Sequence, residues 1–98
     1  MASTKEYRDF ILEQLSEAPN ITCRPMMGEF LLYSNNVLFG GIYDDRLLVK
    51  IVRENEQNKM TEEIPYDGAE PMYFVEDADN REKLAEMVNT TAKGLTSK

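Results

Sequence analysis

Residues 20–52 read NITCRPMMGEFLLYSNNVLFGGIYDDRLLVKIV and hold most of the strand-forming sequence of the chain. From Ile21 onward, apolar and polar residues alternate, which is the period of a half-buried β-strand. Pro25 has no N–H to donate to a neighbouring strand. The first strand is therefore predicted to lie at a sheet edge, or to be interrupted by a bulge at Pro25.

Three turn signals divide the rest of this stretch into strands. Gly28 permits a turn into a short apolar strand, and residues 34–36, Ser-Asn-Asn, have the composition of a second turn. The two aspartates at 44–45 are predicted to form a two-residue hairpin loop between strands over residues 37–43 and 46–52. Together these segments predict a four-stranded antiparallel meander.

Amphipathic helices are predicted before and after the strands, over residues 4–17 and about residues 80–95. In both segments apolar residues recur at three- and four-residue intervals. Ser3 and Glu6 have the spacing of a capping box at the start of the first helix. The apolar stripes consist of Tyr7, Phe10, Ile11, Leu15 and Ala18 in the first helix and of Leu84, Met87, Val88, Thr91 and Leu95 in the second.

The predicted fold is an α+β two-layer sandwich, in which both helices cover one face of an antiparallel sheet of four to five strands. The candidate fifth strand is residues 72–75, and residues 53–63 are predicted to be a short exposed helix or a loop. A chain of 98 residues has the length of one domain, so residues 1–98 are predicted to form a single domain.

The amino-acid composition argues against several classes of protein function. Eighteen acidic and eleven basic residues give a net charge of −7, which opposes binding to phosphate, so no direct nucleic-acid partner is expected. The absence of histidine removes the commonest general base and metal ligand. A single cysteine, no apolar run long enough to cross a membrane and no signal-peptide pattern predict a cytoplasmic protein without membrane contact.

Two groups of residues are candidate chemical sites. Cys23 has no histidine to activate it, so a small buried hydrophobe is favoured over a nucleophile. Residues 77–80, Asp-Ala-Asp-Asn, resemble the start of a calcium loop, but its third ligand position falls on Arg81 and its twelfth on Val88. Helix capping explains these polar residues better. No catalytic residue, cofactor or metal ligand is predicted.

The glycine pair and the methionine pair each allow two interpretations. Gly40-Gly41 lies within a strand, where close packing of a helix is favoured over the approach of a ligand. Met26-Met27 is interpreted as filling a core gap, with an adaptable protein-binding surface as the alternative. Arg24 beside them is expected to pair with an acidic neighbour rather than remain free for a ligand.

The register of the hairpin around residues 44–45 decides which side chains share a face. Tyr43 is predicted to oppose Arg46, Gly41 to oppose Leu48, and Phe39 to oppose Lys50. Strict alternation then divides the side chains of the two strands between two faces. One face, under the helices, carries Leu38, Ile42, Leu47, Val49 and Ile51, and the other carries Val37, Phe39, Tyr43, Leu48 and Val52 with Arg46 and Lys50.

The second of these faces is too apolar for a surface left in water. One hypothesis is that it binds another protein, most simply its own copy in a homodimer with two-fold symmetry. The alternative is that residues 53–68 fold back and cover it, and both remain open from sequence. The predicted interaction residues are Arg24, Met26, Met27, Phe39, Tyr43, Arg46, Leu48 and Lys50.

The chain resembles the N-terminal domain of the TfoX/Sxy family of competence regulators over nearly its whole length. Residues 24–28, Arg-Pro-Met-Met-Gly, stand where that family has an Arg-x-Met-Phe-Gly type motif. Met27 departs from this motif, which usually has an aromatic residue there, and Asp45 stands where glycine is usual. Further points of resemblance are Tyr33, Leu38-Phe39, the Asp44-Asp45 turn, Leu48, Lys50, Pro65-Tyr66, Met72-Tyr73 and the closing helix.

The resemblance implies a compact two-layer domain with an antiparallel sheet, and a role in regulating DNA uptake through contacts with an unidentified regulator protein. It supplies no catalytic residues. The first functional prediction is therefore a non-enzymatic regulatory or protein-interaction domain. The alternative is a small-molecule-binding domain or minor enzyme, in which Arg24 anchors an anionic ligand near Gly40-Gly41.

Overall fold

A computed structural model describes residues 3–58, 60–76 and 78–96. The helices are α1 (Lys5–Gln14), which continues into a 3₁₀ turn (Leu15–Glu17), and α2 (Arg81–Thr96). The strands are β1 (Ile21–Met26), β2 (Glu29–Ser34), β3 (Val37–Ile42), β4 (Leu47–Val49), β5 (Thr61–Glu63) and β6 (Met72–Phe74), and a second 3₁₀ segment spans Arg53–Asn58.

The six strands form one antiparallel sheet in the order β1-β2-β3-β4-β6-β5. The predicted α+β fold and the predicted meander of the first four strands are thus confirmed, with six strands instead of four to five. The additional strand is β5, whose sequence Thr-Glu-Glu has no apolar alternation and which pairs only with β6. Neither helix among the described residues is long and apolar enough to cross a membrane.

Three two-residue turns connect the meander, the third of them closed by mutual backbone hydrogen bonds between Tyr43 and Arg46 just beyond the ends of β3 and β4. Both loop residues have positive φ in each case: 49° and 86° at residues 27–28, 51° and 66° at residues 35–36, and 53° and 54° at residues 44–45. Left-handed backbone at both positions gives the hairpin turn that matches strand twist. Aspartate tolerates this conformation better than most residues, and the Asp45 carboxylate also accepts a 2.8 Å hydrogen bond from the Thr4 N–H.

Strand β1 lies at the edge of the sheet, which is the first of the two alternatives that Pro25 left open, and its register with β2 has no bulge at Pro25. The carbonyl of Asn20 accepts a hydrogen bond from Asn35 N–H, so Asn20 and Asn35 form a hydrogen-bonded pair at the start of the ladder. Bonded and non-bonded pairs alternate in an antiparallel ladder. Residues 21, 23 and 25 therefore direct their backbone groups away from β2, and the missing N–H of Pro25 leaves the ladder intact.

One hydrophobic core lies between the helices and the sheet. It is formed by Ile11, Leu15, Phe30, Leu32, Phe39, Ile42, Leu47, Val49, Tyr73, Val75, Ala78, Leu84 and Val88. The predicted stripes of both helices contribute to it, but Phe10 does not, because 39% of its surface is exposed. The predicted place of Phe10 in the core is therefore wrong.

The start of each helix is capped by a single side chain. Thr4 caps α1 by accepting a 3.2 Å hydrogen bond from the Tyr7 N–H, so the predicted capping box with Ser3 as the cap is wrong. Ser3 instead bonds to Glu29 on β2. Asn80 caps α2, since its side chain accepts a 3.1 Å hydrogen bond from the Lys83 N–H. Asp77 lies outside the described residues.

A register shift between β2 and β3 reverses part of the predicted face assignment. Leu32 pairs with Gly40 and Tyr33 pairs with Leu38, which leaves Phe39 as the extra residue of a bulge. Phe39 is consequently fully buried in the core with the helix-facing residues. Leu38 opposes Tyr33 on the other face and is half-buried. Strict alternation had placed these two residues the other way round.

A buried polar contact attaches the second 3₁₀ segment to α2. The Asn55 side chain donates to the Thr91 hydroxyl and to the Lys50 carbonyl, each at 2.9 Å, and accepts from the Val52 N–H at 3.1 Å. A Cβ added to Gly94 of α2 would lie only 2.7 Å from a methyl group of Val52. Val52 therefore packs against α2, not on the second sheet face where it was predicted.

Candidate interaction surface

The hairpin of β1 and β2 presents its tip to solvent. Met27 is 98% exposed at the first position of the turn, and Met26 before it is half-buried. Filling of a core gap is therefore wrong for Met27. An apolar side chain at a turn position with φ of 49° is conspicuous, because neither packing nor backbone geometry favours it there.

Glu29, the first residue of β2, holds three segments together. Its Oε1 accepts hydrogen bonds from the N–H and hydroxyl of Ser3, and its Oε2 accepts a 3.0 Å bond from the Asp44 N–H. The Ser3 hydroxyl in turn accepts a 3.1 Å hydrogen bond from the Asp45 N–H. The carboxylate thereby joins the start of α1 to two hairpin loops, which is a structural role.

The face of the sheet opposite the helices has an uncovered half, formed by β1, β2 and β3. We call this half the open face and define it by Arg24, Leu31, Tyr33 and Leu38. The register places them together, since Arg24 opposes Leu31 and Tyr33 opposes Leu38. Arg24 is exposed and the other three are half-buried. The Arg24 guanidinium carbon lies 5.9 Å from the centre of the Tyr33 ring, a cation–π contact.

The other half of this face, around β4, is covered by the chain itself. The ring of Tyr66 lies 6.1 Å from that of Tyr43, and the Arg46 guanidinium forms a 2.8 Å ion pair with Glu63 and a 3.4 Å hydrogen bond to the Ile64 carbonyl. Tyr43 is buried beneath this loop, and burial raises the pKa of its hydroxyl, with Tyr66 and Glu29 adding to the shift.

Three of the predicted interaction residues are buried and therefore not accessible to a partner. Phe39 and Leu48 are fully buried and Tyr43 is 5% exposed, so none of the three is part of an exposed surface. The alternative in which residues 53–68 fold back over the face holds at Tyr43 and Arg46. Arg24, Met26, Met27 and Lys50 remain at least partly accessible. The predicted register itself is correct, since Gly41 pairs with Leu48 and Lys50 N–H donates to the Phe39 carbonyl.

The two glycines of β3 accommodate neighbouring strands. A Cβ on Gly40 would overlap the Leu48 carbonyl oxygen, and one on Gly41 would lie 2.7 Å from the Phe30 carbonyl oxygen and 2.8 Å from the Tyr43 ring. Close packing does explain the pair, as predicted, but strand backbone and a tyrosine ring take the place assigned to a helix. No space for a ligand adjoins either glycine on these sides.

Cys23 is half-buried against the core and faces α1. Burial raises the pKa of its thiol, an effect opposed by Arg8 and reinforced by Asp9. A raised pKa lowers the fraction of thiolate at neutral pH, and the thiolate is the reactive form. The surroundings of Cys23 are therefore those of an unreactive thiol.

A shallow depression of about 560 Å³ lies beside the start of α2. It includes no residue of the hairpin formed by β1 and β2. Its walls carry more acidic than basic side chains, and Arg24 is not among them. The lining residues are Glu17, Asp79, Asn80, Arg81 and Glu82. In residues 3–58, 60–76 and 78–96, no group of three or more histidine, cysteine or acidic side chains is placed to hold a metal ion.

The open face includes three residues that were not selected from the sequence: Leu31, Tyr33 and Leu38. Leu31 and Tyr33 belong to an apolar run, Phe-Leu-Leu-Tyr, in which outward-facing positions cannot be distinguished by hydrophobicity. The signal that was available is the pairing with β1, where exposed Thr22 and Arg24 mark the solvent side.

Comparison with models of known protein families gives no match, and comparison with curated proteins gives none either. The resemblance to the TfoX/Sxy family consequently stays a prediction.

Proposed function

We propose that this chain is a non-enzymatic protein-interaction domain, and that the open face is its contact surface. The observation that carries the proposal is the arrangement of Arg24 over Tyr33 beside half-buried Leu31 and Leu38. Arginine and tyrosine are enriched at the centres of protein interfaces, and the fully buried part of an interface is largely apolar. The resemblance to competence regulators supports a regulatory role for that contact.

The hairpin tip extends this surface. Met27 follows β1 directly and is almost fully exposed, and methionine adapts its shape to irregular partner surfaces. The partner-binding interpretation of the Met26-Met27 pair thus gains support from the position of Met27.

Site-specific photo-crosslinking in the native host tests the proposal. A photoreactive amino acid replaces Leu38 on the open face, and the control carries it at Glu86, which is exposed on α2. We expect discrete crosslinked proteins from position 38 and none of the same species from position 86. Thermal denaturation verifies that both variants fold. Identical crosslinking from the two positions, or none from position 38, would contradict the proposal.

A further inference from the structure

We infer that two copies of this chain pair through the edge strand β1, antiparallel and with a two-fold axis at Thr22, so that the two six-stranded sheets become continuous. This inference is independent of the proposed function, because it concerns the edge of the sheet and not the open face. It is carried by the unpaired backbone groups of β1, by the positions of two prolines and by the position of the charge on this strand.

The outer edge of β1 has hydrogen-bonding groups without partners. Residues 21, 23 and 25 direct their backbone groups away from β2, and in residues 3–58, 60–76 and 78–96 no hydrogen bond uses the N–H of Ile21 or of Cys23. The register of β1 with β2 runs from Ile21 to Met26 without a bulge, so the edge is regular. Such an edge is a template for an added strand. The opposite edge, β5, has only three residues, two of which are glutamates, so two copies of it would repel each other.

Two prolines mark the ends of the segment that can pair. Pro19 and Pro25 each lie three positions from Thr22, on opposite sides of it. When β1 pairs with its own copy about Thr22, Ile21 opposes Cys23 of the second copy, and Cys23 opposes Ile21 of the second copy. Because both positions direct their backbone groups outward, each of these two pairs exchanges both of its N–H···O bonds. Pro25 then falls opposite Pro19 of the second copy, beyond the ladder.

A second copy fits the proline end of this edge better than an unrelated strand does. An unrelated strand that continued past Pro25 would place a carbonyl opposite a residue with no N–H to donate. In a second copy that carbonyl belongs to Pro19, and it already accepts a 2.8 Å hydrogen bond from the Ser34 hydroxyl. Pro25 itself is exposed, so its own carbonyl stays in contact with water. These matched ends assign the edge to a second copy of the chain.

The charge on β1 favours the same register. Arg24 is the one charged residue of the strand. Pairing about Thr22 separates the two Arg24 residues by about 14 Å, because each lies two residues from the axis. This distance exceeds the Debye length of about 8 Å at physiological ionic strength. Pairing about Cys23 would reduce the separation to about 8 Å and would place Pro25 opposite Ile21, and pairing about Arg24 would put like charges directly opposite each other.

Apolar side chains on the helix side of β1 would be covered by the pairing. Ile21 and Cys23 are half-buried and pack against the edge of the core. They are incompletely covered because α1 extends towards the middle of the sheet, where Gln14 donates a 2.7 Å hydrogen bond to the Ala78 carbonyl after β6. In the paired sheet each of these side chains gains a neighbour from the second copy. The axis is perpendicular to the sheet, so both open faces lie on the same side of the dimer.

A substitution on the axis tests the pairing. Thr22 is exposed, and the two copies of it form a non-bonded pair with Cα atoms about 4.5 Å apart. Thr22→Lys should weaken self-association about tenfold or more, because like charges directly opposite each other are destabilising. Thr61→Lys, at an exposed position of the other edge, is the matched control and should change self-association less than about twofold. Sedimentation equilibrium measures the association, and thermal denaturation verifies that both variants fold.

Thiol crosslinking tests the register. In a Cys23→Ser background, Thr22→Cys should form an intermolecular disulfide under mild oxidation, because a Cα separation of about 4.5 Å lies within the range that a disulfide spans. Arg24→Cys in the same background should not, because its two Cα atoms are about 14 Å apart. In the unmodified protein, the amide resonances of Ile21, Thr22 and Cys23 should shift with protein concentration.

Four outcomes would overturn the inference. They are a parent protein that remains monomeric at about 1 mM, where a contact with millimolar affinity is already populated; equal effects of the two lysine substitutions; crosslinking at position 24 as efficient as at position 22; and concentration-dependent shifts confined to Leu31, Tyr33 and Leu38. Crosslinks of other proteins from position 38 do not depend on any of these results, so the proposed function stands or fails separately.

Discussion

Ser3 donates twice to the same carboxylate oxygen of Glu29, from its backbone N–H at 2.9 Å and from its hydroxyl at 2.7 Å. The two residues are 26 positions apart, and their contact fixes the beginning of α1 against the first hairpin. The second oxygen of Glu29 accepts a hydrogen bond from the loop at Asp44. One side chain therefore fixes the start of α1 relative to two hairpin loops.

Replacing Glu29 with alanine should therefore lower the free energy of unfolding by about 1.5–3 kcal/mol, since it leaves part-buried donors without their charged acceptor. Urea titration measures the change. Glu86→Ala, at an exposed position on α2, is the control and should cost less than about 0.5 kcal/mol. Equal stability of the two variants would show that Ser3 and Asp44 find other acceptors at no cost.

Truncations in the two helices should differ sharply. Leu84 is 2% exposed and belongs to the core, so Leu84→Ala should cost about 2–5 kcal/mol. Phe10 is 39% exposed and lies outside the core, so Phe10→Ala should cost only about 1–2 kcal/mol, because removing its partly buried ring leaves no internal cavity. Chemical denaturation of both variants is the measurement. A loss above about 2 kcal/mol for Phe10→Ala would restore its predicted place in the core.

Substitution of Leu48 tests whether this residue is buried within one copy of the chain or lies in an interface between copies. Leu48 is fully buried within one copy of the chain, so Leu48→Ser should cost about 3–5 kcal/mol through lost burial and an added hydroxyl. Leu31→Ser, on the open face, should cost about 1 kcal/mol. Sedimentation and urea titration are run together. If Leu48→Ser instead gives a stable monomer from a dimeric parent, the interface lies where the sequence alone placed it.

Adding one methyl group should reduce stability by very different amounts at Gly40 and at Gly68. At Gly40 the methyl carbon would overlap the Leu48 carbonyl oxygen and lie 2.9 Å from the Val49 Cα, so Gly40→Ala should displace β4 and prevent normal folding. Gly68 has a φ of +85° with nothing within 4 Å, and Gly68→Ala should cost only the backbone strain of about 1–2 kcal/mol. Soluble yield and thermal denaturation compare them, and a Gly40→Ala variant as stable as Gly68→Ala would refute the close approach.

Cys23 should react slowly with thiol reagents, and the ionisation of its thiol should affect the free energy of unfolding only at alkaline pH. Its pKa is raised in the folded state by burial, so a thiol reagent at neutral pH should label native protein much more slowly than protein in urea. Because the folded state retains the proton to higher pH, this stabilising contribution is complete below the ordinary thiol pKa and is lost as pH rises through the folded-state value. Cys23→Ser should remove that part of the pH dependence. Labelling of native protein as fast as unfolded protein would contradict this account.

The meander of β1 to β4 could be predicted because the residues within each turn determine where the turn lies. Asparagine, aspartate and glycine at the loop positions each tolerate left-handed backbone, and the three loops lie where these residues are. Pro25 limited β1 to an edge position or a bulge for the same reason, since a missing N–H is a property of one residue, and the structure has the edge position.

The open face was not predictable because it depends on contacts between distant segments. The bulge at Phe39 shifts one strand against another and exchanges the faces of Leu38 and Phe39; Gly40-Gly41 beside it is a composition that often marks a bulge, but it does not identify the extra residue. Strand β5 forms because β6 offers it a partner, not because Thr-Glu-Glu favours a strand. Thr4 replaces Ser3 as the helix cap because Ser3 is already bonded to Glu29.

The order of strands also determines when each part of the sheet can form. The first four strands are joined by two-residue loops, and contacts so near in sequence form on the microsecond timescale of hairpins. Strand β5 comes before β6 in the chain yet lies outside it in the sheet, and its ladder contacts are all with β6. During synthesis Thr61–Glu63 therefore stays without its ladder partner until Met72–Phe74 has left the ribosome.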